Sequence, residues 1–235
     1  MSKVTCPVPE VDEAEAGWVI PLSEASSNRN SNLLHIHLQA AKGAAPFGNS
    51  RPTPTGHATD LITFAPIAAV DASDVERLLD LAFGKDRHRR TAYRLREGVE
   101  ALPGLSFAAL EDGALVGSIQ CWPIQLTEND GRATPLILVG PVAVQPDHQR
   151  AGVGRSLMEL ALAEADATAS EPMMLIGDAA YYERFFDFSS RHTSGWTVPG
   201  PVDRDRLLAR LRPGQVVSAQ GTLGPRVAAL VPGAD

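Results

Sequence analysis

Residues 138–157 of this chain read LVGPVAVQPDHQRAGVGRSL, and the fold is decided in this stretch. An apolar run typical of a buried strand is followed by a turn and then by a helix with one apolar face. Gly152 and Gly154 lie where the turn enters the helix. The first N–H groups of a helix have no internal partner, and the helix dipole adds partial positive charge. Because glycines let a ligand approach the backbone closely, this junction is typical of a phosphate site.

Three kinds of phosphate loop compete for this junction. A P-loop requires GxxxxGK[ST], and the chain contains no Gly-Lys-Ser or Gly-Lys-Thr. A Rossmann fingerprint requires a third glycine, and Leu157 stands at that position. The preceding strand also follows an antiparallel meander rather than opening a βαβ unit. The remaining alternative is the loop that holds the pyrophosphate of acetyl-CoA.

The flanking sequence predicts an α/β (α+β) domain with a mixed, largely antiparallel central sheet flanked by helices. The turn signals Glu111-Asp112-Gly113 and Asn129-Asp130-Gly131 join three consecutive strands into a meander. Ser73 and Glu76 predict a capping box at the start of the first helix. Strands are predicted at 62–68, 105–110, 114–126, 134–144, 173–176, 196–198 and 215–222. Helices are predicted at 71–83, 91–99, 152–168, 179–186 and 203–211.

Length and composition fit one domain with an appendage. The chain has 235 residues, of which 44% are hydrophobic and 21% charged. We expect the domain over residues 61–223, a disordered or loosely docked arm over 1–60, and a frayed tail over 224–235. A misassigned start codon is an alternative explanation of the arm.

Several classes of function are disfavoured. The sequence has no apolar stretch of membrane-spanning length and no secretory signal, so we expect a cytoplasmic protein with no membrane partner. The net charge of −7 argues against a nucleic-acid partner. The basic run at 85–90, KDRHRR, lacks interleaved aromatic residues and is expected to be a solvated loop.

The cysteines and histidines are not spaced as in a metal site or a disulfide framework. Cys6 and Cys121 make no CxxC motif and no disulfide framework. His35 and His37 have no cysteine or carboxylate nearby at ligand spacing. We therefore expect no metal site, and we expect Cys121 to pack rather than react.

The junction resembles the central motif of the GCN5-related N-acetyltransferases, the GNAT superfamily. Gln149-x-x-Gly152-x-Gly154 after Val142-Ala143-Val144-x-Pro146 carries this resemblance. The stretch 177–185, GDAAYYERF, is similar to the following motif in the bacterial YhbS-type branch. Together the resemblance covers about residues 61–211.

The resemblance implies transfer of an acetyl or short acyl group from acyl-CoA to a primary amine by direct attack. Acetyl-CoA would be the co-substrate, and no metal would be required. Backbone groups of Val142, Ala143 and Val144 would pair with the pantetheine amides, and the Val144 N–H would stabilise the oxyanion. The residues expected to hold the pyrophosphate are Gln149, Arg150, Ala151, Gly152, Val153, Gly154, Arg155 and Ser156.

The general acid of the family is a tyrosine four residues before a Gly-Phe pair. By register this is Tyr182, which would protonate the leaving thiolate, and Tyr181 is the alternative. Here Phe186-Asp187 stands in place of Gly-Phe, or the register slips by one residue.

The sequence does not identify the general base. The strand at 134–144 lacks the glutamate that many relatives use. A water chain ending on Asp178, Asp147 or His148 could take the proton, although Asp178 also fits a helix N-cap.

Two other functions remain open. The missing glutamate and the altered Gly-Phe pair fit a non-catalytic acyl-CoA-binding or regulatory module. A nucleotide-binding protein of another fold is the weaker alternative. The acceptor is open between small amines, amino acids, antibiotics, peptide N-termini and protein lysines. In this fold the loop between the first two helices often borders the acceptor, and homodimers are common.

Overall fold

The computed structural model describes residues 62–227. The expectations for the arm at 1–60, including His35 and His37, lie outside the described residues. Residues 228–235 of the predicted tail lie outside them as well.

One mixed sheet forms the centre of the described chain. Strands β1 (Ile62–Pro66), β2 (Phe107–Glu111), β3 (Ala114–Thr127) and β4 (Ala133–Val144) are antiparallel neighbours in chain order. Strand β5 (Met173–Ile176) lies parallel to β4, and β7 (Leu207–Arg210) lies antiparallel to β5. The second half of β3 also pairs with β8 (Gln220–Pro225), which pairs in parallel with β6 (Gly195–Thr197). The prediction of a mixed, largely antiparallel sheet is confirmed.

In the described part of the chain, four α-helices cover the two faces of this sheet. They are α1 (Ala72–Phe83), α2 (Thr91–Leu95), α3 (Val153–Ala167) and α4 (Ala179–Phe186). Because alternate strand residues point to opposite faces, Val139 packs with α3 and α4 while Leu138 packs with α2. The described helices include none that is both long and apolar enough to cross a membrane.

Helix α3 packs very closely on the sheet at Gly117. A Cβ built at that position would lie 2.8 Å from Cγ1 of Val153 and 3.1 Å from Cδ1 of Leu157. The glycine therefore sets how near the first turn of α3 comes to β3, and with it the position of the 149–156 loop.

Several predicted elements require correction. The helix predicted at 203–211 is wrong: a 3-10 turn, Arg204–Arg206, leads into strand β7. Leu207, Leu208 and Ala209 are all buried in β7, and a short apolar run of this kind does not distinguish a strand from a buried helix. Helix α2 ends at Leu95 rather than 99.

The cap of α1 and the start of β8 also differ from the predictions. Asp71, rather than Ser73, caps α1, because its carboxylate accepts the backbone N–H of Ser73 at 2.7 Å. Strand β8 begins at 220 rather than 215 and runs past the predicted start of the tail, with Gly224 and Pro225 paired to β3.

The basic run at 85–90 is only partly solvated. Arg87 is 2% exposed and donates to Asp80 at 2.8 Å, and it also donates to Glu76 and Tyr93. The prediction of a solvated loop is therefore wrong for Arg87, which ties this segment to α1 and α2.

Candidate functional site

Strands β4 and β5 separate partway along their length. They pair only at Ile137 with Met173 and Leu138 with Met174, although β4 continues to Val144. Gly140, just beyond the last pair, has a φ of +113°, which is accessible mainly to glycine. Among the described residues, no strand pairs with β4 on this side after Leu138. The remaining segment of β4, residues 139–144, therefore borders a gap, which we call the β4–β5 gap.

The ladder between β3 and β4 determines which backbone groups face the gap. Gln145 donates its backbone N–H to the carbonyl of Val116 at 2.8 Å. Facing pairs in an antiparallel ladder alternate between bonded and non-bonded pairs. Counting back along the register, Val144 and Val142 are in non-bonded pairs and Ala143 is in a bonded pair. The N–H and C=O of Val142 and Val144 thus point toward the gap, whereas those of Ala143 point toward β3.

Helix α3 begins at the end of this gap, and its first N–H groups have no partner within the helix. A 3-10 turn, Pro146–Ala151, contains Gln149 and the backbone of Arg150, and it ends at Gly152. Gly152 has a φ of +77°, and among residues 62–227 no side-chain hydrogen bond to the N-cap is found. The first turn carries no acidic residue, and its first internal bond runs from the N–H of Ser156 to the carbonyl of Gly152 at 3.0 Å. The N–H groups of Val153, Gly154 and Arg155 come before this bond, and unbonded N–H groups at a helix start suit an anion.

The turn before α3 is held to the sheet by His148. Its Nε2 lies 2.7 Å from Oε2 of Glu111 on β2, and the ring is mostly buried. His148, paired with a carboxylate in this way, fits a structural role in which it positions the 149–156 loop. Asp147, beside it, is exposed.

Tyr182 lies against the end of β5. Its ring is 5% exposed and belongs to the same buried cluster as Val142, Val144 and Val153. Its hydroxyl makes no hydrogen bond within the described residues, and burial raises the pKa of Tyr182 well above 10. The hydroxyl therefore remains protonated across the physiological range.

Tyr181 occupies a more open position on the same helix. Its ring contacts the ring of Tyr182 edge-on, with centroids 5.1 Å apart. Burial raises the pKa of Tyr181, Arg155 opposes this rise, and Glu159 adds to it. Tyr181 is therefore within electrostatic range of the first turns of α3.

After the two tyrosines, an aspartate stands where the family's Gly-Phe pair would have its glycine. Asp187 ends α4 in the left-handed region, with φ 58° and ψ 29°, a conformation that glycine adopts most easily. Phe188 follows and is fully buried. Asp187 thus has the conformation that a glycine would adopt, the buried Phe188 follows it, and Tyr182 stands five residues before Asp187.

The contacts of Asp178 and Cys121 indicate structural roles for both residues. Asp178 caps α4 by accepting the N–H of Tyr181 at 2.8 Å, as its position after a strand predicted. Cys121 is fully buried, and burial raises the pKa of its thiol to about 12, which disfavours a nucleophilic role. Within residues 62–227, no group of three or more His, Cys, Asp or Glu is arranged to hold a metal ion.

A cavity that the sequence did not predict opens on the face that carries α2. Its volume is about 450 Å³, and it lies between α1, α2 and β3. Arg96 and Trp122 in its wall are 26 positions apart, so no local pattern indicated that they meet.

Comparison with known proteins identifies the family. Residues 63–188, more than half of the chain, match the family model described as an acetyltransferase (GNAT) domain. The chain belongs to the GNAT acetyltransferase family. The predicted resemblance is confirmed, and the GNAT domain coincides with the segment that contains β4, α3 and α4.

Individual GNAT relatives agree with this result. The chain is 28% identical to YjhQ, an uncharacterized N-acetyltransferase of Escherichia coli K12, over 57% of this chain and 74% of the relative. Escherichia coli YhbS, solved in complex with CoA, has a TM-score of 0.54 at 22% identity, covering 74% of this chain and 93% of that chain. A GNAT family acetyltransferase from Brucella melitensis, solved in complex with acetyl-CoA, has a TM-score of 0.52 at 24% identity, covering 70% and 96%. Both structures share the fold described above.

Proposed function

We propose that this chain transfers an acetyl or other short acyl group from acyl-CoA to a primary amine by direct attack. One observation carries the proposal: within the described residues, the backbone of Val142 and Val144 has no pairing strand on the gap side, and it leads directly to a helix start with no side-chain cap. A strand edge with no pairing partner suits an extended amide-bearing arm, and the helix start suits a phosphate. Pantetheine and pyrophosphate follow one another in CoA in the same way. The complexes of YhbS with CoA and of the Brucella melitensis protein with acetyl-CoA support acetyl-CoA as the donor.

The backbone direction narrows the predicted set of donor-binding residues. Because the amide of Ala143 points toward β3, we assign pantetheine pairing to Val142 and Val144 and not to Ala143. The Val144 N–H would donate to the carbonyl oxygen of the thioester and stabilise negative charge there. The pyrophosphate would be held by the loop and first helical turn at Gln149, Arg150, Ala151, Gly152, Val153, Gly154, Arg155 and Ser156.

Tyr182 is assigned as the general acid. Its side chain packs in the buried cluster that includes Val142 and Val144, and burial raises its pKa, so the hydroxyl stays protonated. The amine nitrogen forms a bond to the acyl carbon as the C–S bond breaks. Of the two protons that the ammonium form loses in total, one balances the leaving thiolate and the other is released to solvent. Tyr182 would supply the thiolate proton and be reprotonated afterwards.

Tyr181 remains the alternative acid. It lies near the start of α3, where Arg155 is paired with Glu159 at 2.8 Å. A tyrosine at this place would contact the donor's phosphate end rather than its sulfur, so we rank it below Tyr182.

A non-catalytic acyl-CoA-binding module is the second candidate. The additional residue between Tyr182 and the left-handed Asp187 favours it, because this insertion shifts the tyrosine relative to the end of α4. Such a module would bind the donor in the same gap without turnover.

The test is release of free thiol from acetyl-CoA with a panel of primary amines. We expect turnover with at least one amine class and a large loss in Tyr182→Phe. Donor binding without thiol release for any amine would favour the module, and absence of donor binding would contradict both candidates.

A further inference from the structure

The last turn of α4 contacts the first turn of α3 through the ring of Phe185. The Cζ atom of Arg155 lies 5.0 Å from the centroid of this ring, within the range of a cation–π contact. Arg155 is the third residue of α3, so Phe185 borders the helix start to which the pyrophosphate is assigned. Residues at the end of α4 are therefore close to a ligand bound at that helix start.

A second guanidinium lies against the same ring. The Cζ atom of Arg184 is 5.1 Å from the centroid of Phe185. The phenylalanine is 39% exposed, and both arginines are exposed as well. Because all three side chains are accessible from solvent, a ligand can contact them without any rearrangement of the core. We call Arg155, Arg184 and Phe185 the Phe185 patch.

The charges around the Phe185 patch favour an anion. Arg155 is paired with Glu159 at 2.8 Å, but both side chains are about half exposed, so this ion pair contributes little. Among residues 62–227, no carboxylate forms an ion pair with Arg184, and its guanidinium makes no hydrogen bond. Glu183 precedes it in the chain, but successive helix residues do not face each other. The patch therefore holds an arginine that is available to a negatively charged ligand.

The proposed donor carries a third phosphate to which neither the strand edge nor the helix start is assigned. In CoA the pyrophosphate joins the pantetheine arm to an adenosine whose ribose bears a 3′-phosphate. Both phosphate groups are attached to the same ribose, so a site for one lies near a site for the other. A phosphate monoester has a charge of about −1.5 to −2 at pH 7 and three acceptor oxygens. Planar guanidinium groups match these oxygens in geometry and in charge.

The two ends of the donor leave the pyrophosphate in different directions. The pantetheine arm is assigned to Val142 and Val144 on β4, so the adenosine extends away from that strand. On α4, the residues of the Phe185 patch are exposed, whereas Tyr182 and Phe186 are buried in the cluster that includes Val142 and Val144. The patch therefore lies on the side of α4 that the adenosine end can reach.

We propose that the Phe185 patch binds the 3′-phosphate of the acyl-CoA donor, and that Arg184 is the residue that distinguishes CoA from dephospho-CoA. Phe185 contacts both guanidinium groups through its ring, and Arg155 is shared between the pyrophosphate and the 3′-phosphate. This inference rests on the proposed function, because it uses the assignment of the pyrophosphate to the start of α3. The patch itself takes no part in the bond exchange.

The experiment measures the Kd of CoA and of dephospho-CoA by isothermal titration calorimetry, using the full chain at one ionic strength because salt screens exposed charges. We expect CoA to bind at least about tenfold more tightly, since charge-assisted hydrogen bonds are the stronger ones in proteins. Arg184→Gln should bring the ratio of the two Kd values close to one by weakening the binding of CoA alone.

Arg89→Gln is the matched control for the loss of one positive charge. Arg89 is an exposed arginine in the segment that joins α1 to α2, and these helices lie on the sheet face opposite α3. That variant should leave the ratio of the two Kd values unchanged.

Equal Kd values for the two compounds with wild type would overturn the inference while leaving the proposed transfer intact. The same holds for an Arg184→Gln variant that weakens both compounds equally, or for a loss of the ratio in Arg89→Gln as large as in Arg184→Gln. A preference for CoA that depends on Arg184, in a protein that releases no thiol with any amine, would support the patch and contradict the transfer. Failure of both compounds to bind would overturn both proposals.

Discussion

The ring of Tyr182 packs directly on the backbone of Gly177. A Cβ built at position 177 would lie 2.7 Å from Cδ2 of that ring, closer than real Cβ atoms approach. Gly177 links the end of β5 to the N-cap of α4, so this contact sets the depth at which Tyr182 enters the buried cluster.

Replacing Gly177 with alanine should displace the tyrosine ring. Overpacking of this kind costs about 1–3 kcal/mol, so we expect a lower midpoint in urea denaturation together with reduced turnover. Gly104→Ala is the matched control, because a Cβ there would meet no atom within 4 Å. Equal midpoints for the two variants would show that the contact is not a close one in solution.

Removing the hydroxyl of Tyr182 should affect the chemical step. General acids contribute about 10²–10⁴ in rate, so Tyr182→Phe is expected to lower kcat by at least tenfold with an unchanged Kd for acetyl-CoA. Tyr181→Phe is the control and should change kcat by less than about threefold. The reverse order of effects would transfer the assignment to Tyr181.

The pH profile provides a separate check on the same residue. Burial raises the pKa of Tyr182 above its ordinary value of 10, so its acid form persists at higher pH than that of a free tyrosine. We expect kcat to show no loss from deprotonation of the acid up to about pH 10. A descending limb below pH 9 that disappears in Tyr182→Phe would contradict the buried, protonated state.

Replacing Asp187 with glycine should give a more stable protein than replacing it with alanine. Its left-handed conformation is easy for glycine, whereas alanine in this region is less favourable by about 1 kcal/mol or more. We therefore expect the unfolding midpoints to follow the order Asp187→Gly above Asp187→Ala. An alanine variant as stable as the glycine variant would indicate that α4 ends differently.

An ion pair between Asp166 and Arg210 ties the end of α3 to strand β7. It should make the free energy of unfolding depend on pH. Both oxygens of Asp166 accept bonds of 2.8 Å from Arg210, and these bonds hold the pKa of Asp166 below 3.8. A lowered pKa stabilises the fold above the unfolded-state pKa, and this contribution is lost as the pH falls through the folded-state pKa. Asp166→Asn should lower the urea midpoint at pH 7, and the difference from wild type should shrink as the pH falls from 5 to 3.

Glu159→Gln serves as the control for that experiment. Glu159 is paired with Arg155 on the exposed face of α3, where ion pairs contribute little. A difference for Asp166→Asn that stays constant from pH 7 to pH 3 would contradict the assigned role of its charge.

The sequence predicted the elements whose signals are local. Strand Met173–Ile176 and helix Ala179–Phe186 have the predicted bounds, because a buried apolar run and an Asp N-cap are visible in a few residues. Helix 203–211 was wrong, because β7 is defined by its pairing with β5, which lies about thirty positions earlier. Pairing at such distances leaves no periodic signal when every residue is buried.

The same distinction applies to the candidate site. Gly152 and Gly154 indicated a phosphate loop from the sequence alone. Glycines at the start of a helix let a phosphate approach the backbone, and this reason depends only on neighbouring residues. The direction of the Ala143 amide depends on register with β3 and could not be obtained from β4 itself. The meeting of Arg96 with Trp122 depends on how α2 packs over the sheet, which no spacing in the chain predicts.

The proposed position of the donor is tested most directly by isothermal titration calorimetry with acetyl-CoA. Wild type and Gly104→Ala should bind with the same Kd. Gly154→Glu places a carboxylate and its bulk in the first turn of α3 and should weaken binding by at least about tenfold, or 1.4 kcal/mol. Equal affinity for Gly154→Glu and wild type, with both variants folded, would contradict the assignment of the 149–156 loop to the pyrophosphate.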